Sequence, residues 1–322
     1  SRGLGDVYKR QVTILFQHHC IRVNFCLLYD ILICTIKVLN LGRFIMKRID
    51  FENGTVTNNI LSAALPMLVA QILNLLYNIV DRIYIARIHD IGTTALGAVG
   101  LCFPIIMIIT AFSNLFGSGG APIFSINRGK GDSRTADMIM NTAFTMLCGS
   151  AAVLMLIGFL FARPLLTLFG ASDDALVYAY PYLMIYLLGT LPSMIATGMN
   201  PFINAQGYAI IGMLSVTVGA VANIILDPIM IYGIGPVPEM GVEGAAYATV
   251  IGQVVSAVLL FIFHIKLNKE FEHGVKFMKP NGRIIREIYA IGLPAIIAQA
   301  LMSIMVYAVS YTHLTLPTKL EV

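Results

Sequence analysis

No tryptophan occurs in the 322 residues, and only 12% of them are charged. A soluble domain carries nearer a quarter, so the shortage of charge excludes an ordinary water-soluble fold. Any aromatic belt at a membrane surface must use tyrosine and phenylalanine. The five cysteines are scattered with no CxxC pair, which supports neither a disulfide framework nor a zinc site. Cys102 and Cys148 lie in apolar runs and read as packing residues. Neither HExxH nor GxSxG occurs, so an intramembrane enzyme has no support. A net charge of +4 is too small to suggest nucleic acid as a partner.

What is present is hydrocarbon: 57% of the residues are hydrophobic and the mean hydropathy is +0.81. A bilayer core takes about 20 apolar residues per helix. Seven such spans follow Met46, at 60–84, 95–117, 137–161, 177–199, 210–233, 244–265 and 286–308. The expected fold is all-α and membrane-embedded.

The two ends read as something other than protein biology. Asp6-Val7-Tyr8-Lys9-Arg10-Gln11 can be encoded by GAT GTG TAT AAG AGA CAG. The reverse complement of that DNA, read two bases in, begins Val-Ser-Tyr-Thr-His, which stands at 309–313. One inverted tag, resembling a transposase adapter, accounts for both, so 1–11 and 309–322 are read as adapter-derived and set aside. Residues 12–45 are read as translated upstream DNA. A membrane anchor there, or a metal cluster at His18, His19, Cys20 and Cys26, is the weaker reading beside a start at Met46-Lys47-Arg48.

Lys and Arg in alternate loops set orientation. Lys47 and Arg48, then Arg128, Lys130 and Arg134, then Lys266, Lys269, Lys276, Lys279, Arg283 and Arg286 fall on one side. The other side holds only Arg87 and Arg163 among the acids Asp90, Asp173, Asp174, Glu239 and Glu243. The start and the basic linker 266–285 are therefore expected in the cytoplasm, the linker as a solvated loop or a contact for lipid headgroups. Leu65-Pro66 to Gln71 and Leu293-Pro294 to Gln299 both read LPxxxAQ near the start of a span. Six spans precede the second copy, so both copies enter from the same side. That is a parallel repeat, and transporters of two such halves bind substrate between or within them.

Within the apolar runs a few polar residues stand out. A carboxylate at mid-membrane costs roughly 2.5 to 3.5 kcal/mol on insertion scales, so such groups usually face a bundle interior or a wet cavity. Asn223 and Asp227 are four apart, on one helix face about 6 Å apart along the axis. Pro228 has no N–H for the carbonyl of Ile224. Carboxylate, amide oxygen and free carbonyl together are hard-oxygen ligands, suited to Na⁺ or to a protonatable site. Asn74, Tyr77 and Asp81 form a second stripe at i, i+3 and i+7, on a helix that Pro66 can bend. Arg82 is adjacent to Asp81 but diverges from it by about 100° around the helix, so the two need not pair; an interfacial pair ending the span is the other reading. Thr249 and Gln253, four apart, can join the cluster or serve as helix glue. Asn200 and Gln206 bracket the end of the fourth span.

These residues resemble the multidrug and toxic compound extrusion (MATE) family, in its DinF-like branch, from about Ile60 to Tyr307. The likeness rests on LYNIVDRIYIARI, SINRGKGDSRTA, NAQG, NIILDPIMIYGIG and GVEGAAYAT. It implies a twelve-helix antiporter of the bacterial cytoplasmic membrane with two six-helix lobes, exporting organic, often cationic compounds against Na⁺ or H⁺, with no cofactor. This chain would then be a fragment: the amino-terminal lobe at 46–265, the linker, and the first helix of the second lobe at 286–308, with the rest of that lobe as its missing partner. Asp81, Asn223, Asp227 and less certainly Thr249 would form the cation-coupling site, with any Na⁺ at the first three. Asn74, Tyr77 and Asn200 would line the substrate cavity. Arg82 stands where a small polar residue is frequent. A lipid-linked oligosaccharide flippase of the same superfamily is the alternative; it would favour a cavity rich in Arg or Lys, and no central cation is evident from the sequence.

Overall fold

The computed structural model describes residues 49, 54–89, 91–234, 237–266 and 281–315, all within one compact unit spanning 48–322. The segments 1–11 and 12–45, most of the linker, and 316–322 lie outside the described residues. Eight helices follow: α1 (Val56–Ala86), α2 (Gly92–Gly129), α3 (Ser133–Leu168), α4 (Asp173–Leu188), α5 (Thr190–Ala205), α6 (Ala209–Tyr232), α7 (Val242–Lys266) and α8 (Gly282–Thr315). No strand occurs among the described residues. In lipid every backbone polar group must be satisfied within the protein, and a helix does this segment by segment. Five of the helices are long and apolar enough to cross a membrane, and α4 with α5 add a sixth if that bent pair is one span. The chain is a multi-pass membrane protein.

Three features differ from the pattern read in the sequence. The helices outrun the apolar runs: α2 continues through Asn127 and Arg128 to Gly129, and α3 starts at Ser133. The basic segment expected as a loop is thus mostly helix with a tight turn. At 38 residues α2 is about 57 Å long, well beyond a hydrocarbon core of about 30 Å, so its polar end stands in water. The fourth span is broken: α4 and α5 meet at 56° around Gly189. A Cβ on Gly189 would lie 2.6 Å from Gln253 Oε1 and 2.8 Å from Val250 Cγ2, so α7 packs closely on the break and a larger residue there would have to displace these side chains. Finally, α8 runs on to Thr315, through the start of the segment read as adapter-derived.

Asp132 caps α3. Its carboxylate accepts from the Thr135 N–H at 3.0 Å and from the Thr135 hydroxyl at 2.6 Å. These hydrogen bonds, the hydroxyl first, hold the carboxyl below its ordinary range. A group whose folded pKa is depressed stabilises the fold above its unfolded value and loses that effect as pH falls through the folded one. Asp132→Ala is therefore expected to speed hydrogen exchange of the first-turn amides of α3 at neutral pH. Wild-type exchange should approach that of the variant only in acid, below the usual carboxylate range. Equal protection in both proteins at pH 7 would show that the cap contributes nothing.

Helix α2 forms the centre, packed against α3, α5 and α8, while α6 packs against both α1 and α7. The α6–α7 crossing is built from small residues. A Cβ on Gly219 would lie 2.7 Å from the Gly252 carbonyl oxygen, and one on Gly252 the same distance from the Gly219 oxygen. Across the same seam the Ser256 hydroxyl donates to the Ser215 carbonyl at 2.8 Å. Small residues and interhelical hydrogen bonds are the means of association where lipid removes the hydrophobic drive. Gly233, with φ +68°, ends α6 in the left-handed region. Pro66 and Pro294 both lie inside helices, several turns in from the start of α1 and α8.

Candidate functional site

A cavity of about 570 Å³ opens among α1, α2, α4, α5, α6 and α7. Asn74, Tyr77 and Asp81 from α1, Asn200 from α5, Asn223 from α6 and Thr249 from α7 all line it. The stripe on α1 and the face of α6 meet because those helices pack along each other. Beyond the cavity α6 is tied to α1, where the Tyr232 hydroxyl donates to the Tyr84 carbonyl at 2.9 Å and the two rings sit edge to face at 6.3 Å.

Asp227 is fully buried, and Asn223, one turn earlier, is 2% exposed. The Asn223 amide satisfies both its faces when its nitrogen donates to Asp227 Oδ2 at 3.2 Å. Its oxygen then accepts from the Thr249 hydroxyl at 3.3 Å and the Thr249 N–H at 3.1 Å. The sequence reading set the amide oxygen beside the carboxylate; the structure sets the nitrogen there. A Na⁺ bound between Asn223 and Asp227 would need the amide turned over, whereas a proton on Asp227 would not. Pro228 follows within α6, which continues to Tyr232.

Asp81 is half-buried, and its Oδ1 is enclosed without a hydrogen-bond partner. The two carboxyl groups lie within range of each other's charge, and the Tyr77 and Tyr182 hydroxyls lie within range of both. No hydrogen bond joins the acids. An unpaired carboxylate oxygen in a cavity wall, electrostatically tied to a second buried carboxyl, is an arrangement that can take up a cation or a proton. The remaining residues singled out in the sequence have local partners. Asn78 Nδ2 donates to the Asn74 carbonyl at 2.7 Å and to Asn74 Oδ1 at 3.2 Å. Asn200 Nδ2 donates to the Gly212 carbonyl at 3.0 Å, and Asn200 Oδ1 accepts from Asn204 at 3.0 Å, so Asn200 ties α5 to α6 as well as lining the cavity.

Sequence reasoning left one pair out of the site. Tyr182 and Tyr186 stack at 6.4 Å, and Tyr186 Oη accepts from Gln253 Nε2 at 3.3 Å. Their spacing of four along α4 was the available signal. Gln253 Oε1 is buried without a hydrogen-bond partner, beside the Gly189 break. Arg82, noted in the sequence as a departure beside Asp81, was not placed in the cavity by that reading. It lines the cavity with its guanidinium 5.6 Å from the centre of the Phe103 ring on α2, within range of the Asp81 charge but without a direct ion-pair contact to it. The cavity does contain a cation, contrary to the reading from sequence. Among the described residues no group of three or more His, Cys, Asp or Glu could hold a metal ion.

Comparison with known proteins places this arrangement in company. The MatE family profile matches residues 66–229, half of the chain. The multidrug export protein MepA of Staphylococcus haemolyticus is 28% identical over 254 residues, covering 79% of this chain and 55% of its own. A solved multidrug resistance MATE family transporter of the MOP superfamily, in an outward-facing conformation, superposes with a TM-score of 0.72 at 27% identity, covering 79% of this chain and 55% of that one. A MOP superfamily transporter from Pyrococcus furiosus, whose binding pocket is described as of reverse polarity, gives a TM-score of 0.73 at 26% identity, covering 81% and 57%. The chain spans about half the length of the curated relatives it matches.

Proposed function

The chain belongs to the MatE family, and from that premise we propose that it supplies one lobe of a cation-coupled antiporter that exports small organic compounds. Na⁺ or H⁺ enters at Asp81, Asn223, Asp227 and Thr249, while the substrate occupies the cavity beside Asn74, Tyr77 and Asn200. Pro66 and Pro228 give α1 and α6 places to bend. The observation that carries this reading is the enclosed, unpartnered Asp81 Oδ1 within electrostatic range of buried Asp227. A ligand shifts a conformational equilibrium only by its differential affinity for the two states, so neutralising this pair must favour one arrangement of the lobe. The second lobe begins in α8, whose LPxxxAQ segment repeats that of α1. By the placement of Lys and Arg, the start and the 266–285 linker lie in the cytoplasm of a bacterial cell.

The test is efflux from proteoliposomes carrying the full-length polypeptide. Two fluorescent probes serve, tetramethylrhodamine and its methyl ester. Export is expected to require an imposed Na⁺ or H⁺ gradient and to stop when that gradient is collapsed. Transport at the same rate with both gradients dissipated would defeat the coupling.

A further inference from the structure

We propose that a groove between α3 and α4, at the membrane surface remote from the basic turn, holds the headgroup of a phospholipid that carries a primary ammonium. Its phosphate sits on Arg163 and its ammonium on Asp173. The inference needs only the membrane embedding and does not rest on the export reading. A cavity of about 440 Å³ is lined here by Arg163 of α3 and by Asp173, Leu176, Val177 and Tyr180 of α4. Its depth in the bilayer follows from helix length. From Ser133, at the basic turn, to Arg163, α3 rises about 45 Å, which exceeds a hydrocarbon core of about 30 Å. The groove therefore lies at the headgroup level of the leaflet opposite the basic turn, a level that also suits the Tyr180 ring.

Two matched stripes meet there. Leu156, Leu160 and Arg163 stand at i, i+4 and i+7 along α3, and Asp173, Val177 and Tyr180 have the same spacing along α4. Helix α3 runs to this surface and α4 runs away from it. Each stripe thus puts its charge at water and its exposed apolar residues toward the hydrocarbon, where acyl chains lie. Deeper down the two helices close on each other: a Cβ on Gly158 would lie 2.6 Å from Leu187 Cδ2. Arg163 and Asp173 line one cavity yet form no ion pair, and among the described residues neither side chain has a hydrogen-bond partner. Opposite charges with a gap between them complement a zwitterion. Their order is also that of a lipid. Arg163 sits five residues, about 7.5 Å, short of the end of α3, whereas Asp173 opens α4, so the cation is the deeper group. An ethanolamine headgroup likewise has its phosphate deeper and its ammonium further out. The guanidinium fork fits the phosphate, and the carboxylate accepts from the ammonium N–H groups. A choline offers Asp173 no N–H, and a glycerol offers it no charge. No residue of α8 lines the groove; α8 meets α2 at Leu115 and Gly119 instead.

The experiment uses the delipidated full-length protein in detergent micelles, titrated with the dioleoyl forms of phosphatidylethanolamine, phosphatidylcholine or phosphatidylglycerol. Native mass spectrometry reads the affinity for the first bound lipid. Wild type is expected to bind the ethanolamine lipid about tenfold more tightly than either of the others, the scale of one charge-assisted hydrogen bond. Asp173→Asn should bring the ethanolamine lipid down to the level of the choline lipid and leave the choline lipid unchanged. Arg163→Gln should weaken all three, since the phosphate contact is common to them. Asp174→Asn, at a neighbouring acid that does not line the groove, should keep the wild-type preference. Equal binding of the ethanolamine and choline lipids by wild type overturns the proposal without any variant. So does a preference that survives Asp173→Asn, one that is lost as fully in Asp174→Asn, or unchanged binding in Arg163→Gln. None of these outcomes touches gradient-driven efflux, so the export reading stands or falls separately.

Discussion

Asp227→Asn and Asp81→Asn are each expected to abolish uphill export of both dyes, leaving the protein in the membrane at wild-type level. Concentrative transport needs a cation whose binding differs between the two conformations of the lobe. An amide keeps the size and much of the hydrogen bonding of a carboxyl group but cannot take up and release a charge. Asn at 227 still faces the Asn223 amide, 3.2 Å away, so folding should survive. What disappears is the linkage between ion and shape. Downhill exchange of dye, measured by counterflow without a gradient, should therefore persist in both variants while accumulation against a gradient falls to background. Wild-type accumulation in both variants would show that these carboxyl groups do not couple transport. Loss in one variant alone would confine the coupling to that residue.

Gly252→Leu is expected to do more damage than either charge change, and of another kind. The Gly219 carbonyl oxygen stands 2.7 Å from where a Cβ would sit, and the Asn223 Cβ 3.3 Å, so a larger side chain has no direction to take. The helices must part at the seam that brings Thr249 against Asn223. Overpacking a fitted interface costs about 1 to 3 kcal/mol, and here the Ser256 to Ser215 bond and the Thr249 contacts to Asn223 would be lost with it. For a chain of this size that corresponds to a fall of several degrees in Tm or more. Gly252→Ala should give a smaller fall of the same sign. Thermal unfolding in detergent micelles, with recovery from the membrane fraction, reads both. A leucine variant with wild-type Tm would mean that α6 and α7 do not approach through these glycines.

Much of the architecture was legible because its causes are local. A run of about 20 apolar residues must be helical in lipid, and five of the seven expected spans lie within single described helices, while 177–199 is split between α4 and α5 and 210–233 runs one residue past α6. The stripe Asn74, Tyr77, Asp81 and the pair Asn223, Asp227 followed from 3.6 residues per turn, and both stripes line or adjoin one cavity. The helix ends were not legible, because α2 and α3 extend into water where hydropathy no longer marks them. Nor was the Gly189 break: a glycine within an apolar run is ordinary in membrane helices, and the side chains that close on this one, Gln253 and Val250, come from a helix more than 60 positions away. The Asn223 amide could not be oriented from sequence, since its facing depends on Thr249, 26 positions away and on another helix.

Sequence alone determined that this chain lives in a membrane, which apolar runs are helical, and which few polar groups lie within those runs despite the energy that requires. Both periodicity and desolvation act within a turn or two of a residue. Tertiary structure decided which of those groups share a chamber, that Arg82 shares it with Asp81, and that the amide nitrogen of Asn223 faces Asp227. Those outcomes depend on how closely two backbones approach, and small residues such as Gly219 and Gly252 from distant parts of the chain set that distance.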